Sequence, residues 1–431
     1  MSAKKLLGRT VVVVGGCRTP FLRSGTGYDD LMAYELGAMA VAGLLQRYRI
    51  DPAAVDRVIL GTVLAEPRTT NLAREAALSC GLPPSCPAFT VTAACASSNV
   101  AIQSAVEAIA CGAADVVIAG GAETLSDVPI RFGREVRRRL IQSQKARGVL
   151  DYVKLLQGLS LKDLAPDTPA IAEFSTGLTM GQSAERLAKS LGLTREDQDR
   201  FALKSHQKAA TATGEGLYRG QVVPARVPPS FSPIEADNGV RGDSTLEKLS
   251  SLAPAFDRSF GTITAGNSSF LTDGAAACLL MSAEKAEELG VTPLARVVSM
   301  SLVAMDPLEE LLLGPVASVP EALDAAEVPL GEVGVWEVHE AFAAPVLAFL
   351  KLLADKAWCR ERLGRKDAVG KIDPKKVNAW GGSLALGHPF GATGARLVTT
   401  CVERMEREGA GFGVVTTCAA GALGHAMVLA R

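Results

Sequence analysis

Val91-Thr-Ala-Ala-Cys95-Ala-Ser-Ser-Asn99 decides how this chain is read. Residues 88–92 before it are extended. Residues 96–110 after it are a run of small residues at helical spacing, stopped by Gly112, and residues 115–119 form an apolar strand closed by Gly120-Gly121. A strand, a tight turn, a helix and a second strand make the unit from which parallel sheets are built, because a crossover helix lets the next strand run in the same direction. The turn puts Cys95 at the start of a helix, whose unpaired N–H groups and dipole favour a thiolate, the reactive form of cysteine. Taken alone the segment admits a second reading, since a free cysteine is commonly a small buried hydrophobe.

The same alternation runs outward from this unit. Residues 9–15 read as a buried strand, 28–48 as an amphipathic helix, 55–63 as a strand, and 71–80 as a helix ended by Gly81. In the last third, residues 295–303, 333–338, 413–417 and 425–430 read as strands, and residues 319–326, 341–353 and 393–407 as helices. Between Arg131 and Ala255 the rhythm breaks into a basic segment, a Pro-containing loop and a helix pair, the second opened by the capping-box spacing Thr194-Arg-Glu-Asp197. First and last thirds share an order of elements. The expected architecture is two similar α/β halves, each with a largely parallel sheet, around an inserted loop domain. The boundaries are 1–130 completed by 255–285 for the first half, 131–254 for the insert, and 286–431 for the second half.

Composition narrows the function. The 431 residues carry a formal net charge of −1, so nothing global points to nucleic acid or to a membrane. No stretch reaches the roughly 18 apolar residues needed to cross a bilayer. Lys4 and Lys5 precede the run Val11–Val14, which is too short for a secretory core. Nine cysteines are scattered without metal-ligand spacing, which fits reduced thiols and a cytoplasmic location.

Three further segments carry chemistry. Between Asn378 and Arg396, five glycines surround His388, which Pro389 fixes in place. Glycine at that density in a regular core costs conformational entropy, so the loop bends sharply and approaches something closely. His388 there is suited to accept a thiol proton. In Thr416-Thr-Cys418-Ala-Ala-Gly421 a strand again ends at cysteine, either a proton shuttle beside backbone oxyanion donors or a buried thiol in a turn. In Trp336-Glu-Val-His339-Glu340, His339 stands at a strand end. It shares no helix face with Glu340 and no His-Glu-x-x-His spacing exists, so a zinc site is not expected.

Together these segments resemble the thiolase family over nearly the whole chain. Arg18-Thr-Pro20 resembles its early signature and residues 91–99 its nucleophile segment. Gly382-Ser-Leu-Ala-Leu-Gly-His-Pro-Phe-Gly-Ala-Thr-Gly394 is a near-complete form of its histidine loop, and Gly261-Thr-Ile-Thr-Ala-Gly-Asn-Ser-Ser269 resembles the segment that holds the pantetheine arm of coenzyme A. The resemblance implies a five-layer αβαβα fold and Claisen chemistry on acyl-CoA. Cys95 would be the acylated nucleophile, His388 its activator, and Cys418 the acid/base for the α-carbon. One oxyanion hole would use His388 and a water held by His339, the other the backbone N–H groups of Cys95 and Ala420. Met180, Ala265 and Ser269 would line the CoA tunnel, with Arg241 at its nucleotide end. CoA enters as substrate; no permanent cofactor and no metal is implied.

Two departures from the commoner family pattern set the subclass. Many thiolases have Asn where this chain has His339, and Gly where it has Ala420. His339-Glu-Ala-Phe and Cys418-Ala-Ala-Gly are similar to the β subunit of the fatty-acid β-oxidation trifunctional complex and its bacterial relatives. That similarity implies degradative 3-ketoacyl-CoA thiolysis rather than biosynthetic acetoacetyl-CoA formation. It also implies a homodimer or tetramer, with a hydratase/dehydrogenase α subunit as a candidate partner. Arg134, Arg137, Arg138, Arg139, Lys145, Arg147, Lys154 and Lys162, interleaved with Leu140, Ile141, Leu150, Val153, Leu155 and Leu156, form a basic amphipathic stretch suited to anionic lipid or a partner subunit, or else a solvated helical face. Two rivals share the fold. A decarboxylating ketosynthase commonly pairs Cys with two His, whereas the late position here is Cys418. A non-catalytic acyl-CoA-binding subunit would lack Cys95, His388 or Cys418, and all three are present.

Overall fold

The computed structural model describes residues 8–167 and 172–431. Lys4 and Lys5, and the side chains of Lys154 and Leu156, lie outside the described residues. The chain divides into a large unit of Met1–Val63, Asn71–Asp127 and Ala172–Arg431, and a small unit of Leu64–Thr70 and Val128–Ile171. The insert expected at 131–254 is thus divided: from Ala172 onward it belongs to the large unit.

The principal strands of the large unit are β1 (Val11–Arg18), β2 (Arg57–Gly61), β3 (Ala88–Val91), β4 (Val116–Glu123), β5 (Thr272–Ser282), β6 (Ala295–Ala304), β7 (Val333–Val338), β8 (Phe412–Ala419) and β9 (Leu423–Ala430). Its principal helices are α1 (Ala33–Tyr48), α2 (Leu72–Ser79), α3 (Ser97–Ala110), α4 (Met180–Leu191), α5 (Arg195–Gly214), α6 (Gly314–Ala326), α7 (Ala343–Leu353) and α8 (Thr393–Glu408). The sheet order is β7-β8-β9-β6-β1-β5-β4-β2-β3. From β1 outward, the first half reads β1-β5-β4-β2-β3, with β2 parallel to both β3 and β4 and the β4–β5 and β5–β1 pairs antiparallel. The second half reads β6-β9-β8-β7 with the same senses, and a parallel bridge from Trp336 to Val377 stands where the first half has β3. The halves therefore repeat one design. They join edge to edge, where Val12 and Val13 of β1 pair with Arg296 and Ala295 of β6.

Three buried clusters separate five layers. One packs α1 and α2 on the first half, and another packs α6 and α7 on the second. Between them, Ala101, Ile102, Ala105 and Ile109 of α3 and Leu397, Val398, Cys401 and Val402 of α8 share a core with Val13, Ile59, Val117, Cys278, Val335 and Val415 from both halves of the sheet. Small side chains on α3 let this middle layer pack closely.

Three sequence expectations need correction. The sheet is mixed rather than largely parallel, because β1 and β4 both pair antiparallel with β5. Strand β5 itself, buried along its whole length, escaped the reading. Its Thr-Asp-Gly-Ala-Ala-Ala opening has weak strand propensity, and burial between two neighbours overrides that preference. Gly120-Gly121 does not close β4 but lies within it. A Cβ on Gly121 would stand 2.0 Å from the Gly391 carbonyl oxygen, so this glycine admits the histidine loop. The Thr194–Asp197 capping box does open α5, the Thr194 hydroxyl donating to Asp197 at 2.6 Å and accepting the Asp197 N–H at 3.1 Å.

In the small unit, helices Arg134–Ser143 and Val149–Leu156 are tied together by Arg139, whose guanidinium donates to Glu135 and to the carbonyls of Leu155 and Gln157. Ile141 is 66% exposed, Val149 80% and Leu150 75%, an apolar set set among arginines. Among the described residues no helix is long and apolar enough to cross a membrane.

Candidate active site

Cys95 sits where β3 turns into α3. Ala94 adopts φ 48°, a left-handed conformation that costs a non-glycine residue energy. Ser97 holds the turn closed, its hydroxyl accepting the Ala93 N–H at 2.9 Å and donating to the Ala94 carbonyl at 2.6 Å. The sharp turn brings the sulfur to the seam of the two halves. There the first turns of α3 and α8 touch: the Ser98 hydroxyl accepts the Ala395 N–H at 3.0 Å, and a Cβ on Gly394 would lie 2.1 Å from the Asn99 side-chain oxygen.

Two buried carboxylates shape the loop that carries His388. Glu123, at the end of β4, accepts the Gly391 N–H, the Val63 N–H and the Thr62 hydroxyl. Glu340 accepts from the Asn378 side chain, the Ser205 hydroxyl and the Leu384 N–H. Helix α5 backs the same loop through Ala202, which packs with Leu384, and Ala209, which packs with Trp380, Ala385 and Leu386. Gly387, at φ 95°, makes the last bend before His388.

Thr393 orients the His388 ring. Its hydroxyl lies 3.0 Å from the Pro389 carbonyl and 2.6 Å from His388 Nδ1, an arrangement that lets it donate to the carbonyl and accept an Nδ1–H. Nε2 is buried and, among the described residues, without a partner. Burial, reinforced by the Arg396 guanidinium, holds His388 down to about 3, so the ring is neutral at physiological pH.

His339 follows β7, and its ring centroid lies 4.1 Å from that of His388. Its Nδ1 contacts the Ser383 hydroxyl at 3.1 Å, and Ser383 also accepts from Arg396 at 2.9 Å. Burial, His388 and Arg396 together keep His339 well below the ordinary histidine range. One donor atom from each of Cys95, His339 and His388 lies within 4.8 Å of the others. Cys418, near the end of β8, is close enough to Cys95 that the Cys95 sulfur disfavours its ionisation.

The helix-start thiolate expected at Cys95 is not the resting state. Burial pushes the Cys95 thiol up to about 12, against the lowering effect of the Ala420 and Cys95 backbone N–H groups that point at its sulfur. Those two N–H groups are the pair anticipated for the second oxyanion hole. Burial likewise raises Cys418 to about 12.

The candidate CoA residues border this seam. Segment 268–271 bridges Ser268 to Phe342 and Leu271 to His388, and the Ser269 hydroxyl donates to the Ala341 carbonyl at 3.0 Å. Met180 opens α4; a Cβ on its neighbour Gly181 would strike Phe256, whose ring meets Phe342 edge-on. Ala265 and Arg241 are exposed. Arg241 faces Arg23, which stacks on Phe270 with 4.2 Å from guanidinium to ring centre.

Sequence reading missed Thr393, Ser383, Glu123, Glu340 and Arg23. Thr393 and Ser383 lay within the quoted loop, yet only the fold shows which hydroxyl serves which ring. Glu123 and Glu340 carried one signal, an acid at the end of an apolar strand.

Fold and site define an enzyme in which a half-buried cysteine and a neutral imidazole meet at the junction of two duplicated halves. The chain belongs to the thiolase family: residues 11–284 match the thiolase N-terminal domain and residues 291–431 the thiolase C-terminal domain. It is 47% identical over 421 residues to the mitochondrial trifunctional enzyme subunit beta of Bos taurus, covering 98% of this chain and 88% of that one. It is 46% identical over 422 residues to the 3-ketoacyl-CoA thiolase of Escherichia fergusonii, covering 98% and 97%. Among solved structures, human mitochondrial 3-ketoacyl-CoA thiolase in complex with CoA superposes with a TM-score of 0.83 at 30% identity, covering 100% of both chains. The Bacillus anthracis acetyl-CoA acetyltransferase gives 0.83 at 32%, covering 99% of both.

Proposed function

We propose that this protein is a 3-ketoacyl-CoA thiolase, an acetyl-CoA C-acyltransferase working in fatty-acid β-oxidation. It cleaves 3-ketoacyl-CoA with free CoA to acetyl-CoA and a shortened acyl-CoA. The carrying observation is the convergence of Cys95, His339 and His388 within 4.8 Å, with Cys418 beside them. Relatives named 3-ketoacyl-CoA thiolase and trifunctional enzyme subunit beta support the degradative direction.

The reaction runs in two halves. Nε2 of His388, held free of a proton by Thr393, takes the Cys95 proton as sulfur attacks the C3 ketone. The new imidazolium Nε2–H then faces the oxygen that gains charge. Cleavage of the C2–C3 bond leaves the acyl group on Cys95 and an acetyl-CoA enolate, which takes a proton from the Cys418 thiol. CoA then gives its thiol proton to the Cys418 thiolate, attacks the Cys95 thioester and releases acyl-CoA, and the departing Cys95 sulfur recovers its proton from the His388 imidazolium. A pKa near 12 suits Cys418 to its task, because its thiolate is a stronger base toward a weakly acidic α-carbon than an ordinary thiolate. The Cys95 and Ala420 N–H groups serve the thioester oxygen, each preorganised donor contributing about 3 kcal/mol. Sulfur suits the role since the enzyme thioester is nearly isoenergetic with that of CoA.

CoA is a substrate. Its pantetheine arm would pass Met180, Ala265 and Ser269, and its phosphates would meet Arg241 together with Arg23, which lie near enough that Arg241 disfavours the charge on Arg23. A homodimer or tetramer in the cytoplasm, with a hydratase/dehydrogenase α subunit as partner, completes the reading. The basic segment 134–162, with Ile141, Val149 and Leu150 exposed, suits an anionic lipid surface.

A thiolysis assay with 3-ketoacyl-CoA substrates of short to long chain tests the reading. Wild type should consume them only when CoA is present, and Cys95→Ala should lose turnover while keeping its circular dichroism and unfolding midpoint. Turnover retained in Cys95→Ala, or none with any chain length, overturns it.

A further inference from the structure

The three side chains at the seam have a property that acyl transfer does not use. Cys95, His339 and His388 each present one ligand atom, all within 4.8 Å of one another. Nδ1 of each ring is already occupied, by Ser383 for His339 and by Thr393 for His388. Among the described residues Nε2 of each ring has no partner, and the two residues are 1% and 3% exposed. This is the outer-shell arrangement that orients metal-bound imidazoles: one nitrogen tied to the protein, the other aimed inward. Around a zinc ion at about 2.0–2.1 Å from nitrogen and 2.3 Å from sulfur, tetrahedral ligand atoms lie about 3.3–3.6 Å apart. Closing the trio to that spacing takes movements on the order of 1 Å, within reach of side-chain torsions.

We propose that Cys95, His339 and His388 form a reversible inhibitory site for a thiophilic divalent cation of the zinc class, with a fourth position open to water or a substrate thiol. The donor set is one sulfur and two imidazole nitrogens. It favours borderline and soft ions and offers nothing to magnesium or calcium, which require oxygen ligands. Binding is a balanced exchange without redox change. The cation forms one bond to sulfur and two to nitrogen, and the Cys95 proton leaves to buffer. Burial keeps both rings unprotonated at neutral pH, so no further proton is displaced. A thiolate in a desolvated pocket gains most from an ion of two positive charges. The ion would silence nucleophile and base together. The site itself rests on geometry alone; only its inhibitory consequence rests on the proposed thiolase activity.

Cobalt(II) is the probe, titrated into metal-free full-length protein without CoA and followed by ultraviolet and visible absorption. The expected result is a thiolate-to-cobalt charge-transfer band with the intense ligand-field bands of a four-coordinate ion, saturating at a single equivalent and bleached by zinc. Cys95→Ala and Cys95→Ser should both abolish the charge-transfer band. His339→Ala and His388→Ala should each weaken binding by about tenfold or more. Cys111→Ser, an exposed thiol elsewhere, should titrate as wild type. Absence of the band in wild type, its survival in either Cys95 variant, or wild-type affinity in both histidine variants would overturn the proposal. None of these readouts needs turnover, so a failure of the thiolase assignment would be seen separately.

Discussion

Replacing Thr393 by valine tests how the His388 imidazole is set for the proposed chemistry. In the tautomer the proposed mechanism needs, the hydroxyl, 2.6 Å from His388 Nδ1 and 3.0 Å from the Pro389 carbonyl, accepts Nδ1–H and donates to the carbonyl. Valine keeps the shape and removes both bonds. A buried Nδ1–H left without an acceptor costs about 1–3 kcal/mol. The ring escapes that cost by carrying its proton on Nε2 instead, which turns the base toward Cys95 into a donor. Restoring the productive tautomer then requires the same about 1–3 kcal/mol, and kcat/KM should fall about 5- to 160-fold. The loss should lie in the acylation half-reaction, read as the pre-steady-state burst with 3-ketoacyl-CoA. Nitrogen-15 shifts of the His388 ring report the tautomer directly, and Thr393→Ser should restore both readouts. An undiminished burst with unchanged ring shifts in Thr393→Val would refute the reasoning.

Other outcomes follow from the same geometry. Cys418→Ala should still form the acyl-enzyme at Cys95 but exchange the α-protons of acetyl-CoA with deuterium oxide barely at all; normal exchange would remove Cys418 from the acid/base role. His425, buried on β9 with no side-chain partner among the described residues, is held down to about 4 by desolvation. The unfolded chain therefore binds a proton there that the folded chain refuses, and stability is lost as pH falls below about 6.5. Between pH 7 and pH 5 this group should account for about 2 kcal/mol of the decline, and urea melts of His425→Gln should show a decline smaller by that amount; equal declines count against the burial argument. Vesicles containing anionic lipid should float the wild type but less of Arg134→Glu/Arg138→Glu, a pair that spares the Arg139 staple; equal flotation would sink the lipid reading.

The sequence made some things legible and hid others for physical reasons. Cys95 and His388 were readable because a nucleophile turn and a close-approach loop demand small residues and glycine, and such demands leave a dense local pattern. Strand β5 was unreadable because nothing local makes Thr272–Ser282 a strand; its neighbours β1 and β4 do. The ionisation of Cys95 was misjudged for a related reason. A helix N-terminus is visible in sequence, whereas the desolvation that outweighs it depends on the second half of the chain closing over the sulfur. The partners Thr393, Ser383, Glu123 and Glu340 sit beside or far from the groups they hold, and no spacing rule links them.

Duplication explains why the site lies where it does. In the first half the chain runs from β3 through Cys95 into α3, and in the second from the Val377 bridge through His388 into α8. These are the same position of the repeat. Both helices occupy the middle layer, so their first turns meet, and whatever each turn carries must meet as well. The halves differ in what fills that position. The first has a short strained turn around Ala94, which presents sulfur. The second has the glycine-rich stretch from Asn378 to Ala392, long enough to be gripped by Glu123 of one half and Glu340 of the other. The long segment between β4 and β5, carrying α4 and α5, has its counterpart in the three-residue turn Ala420-Gly421-Ala422 between β8 and β9. That short turn keeps Cys418 and the Ala420 N–H at the sulfur of Cys95, while the long one supplies α5 behind the histidine loop. One fold repeated, and then made unequal at two connections, is sufficient to bring Cys95, His388 and Cys418 together from distant parts of the chain.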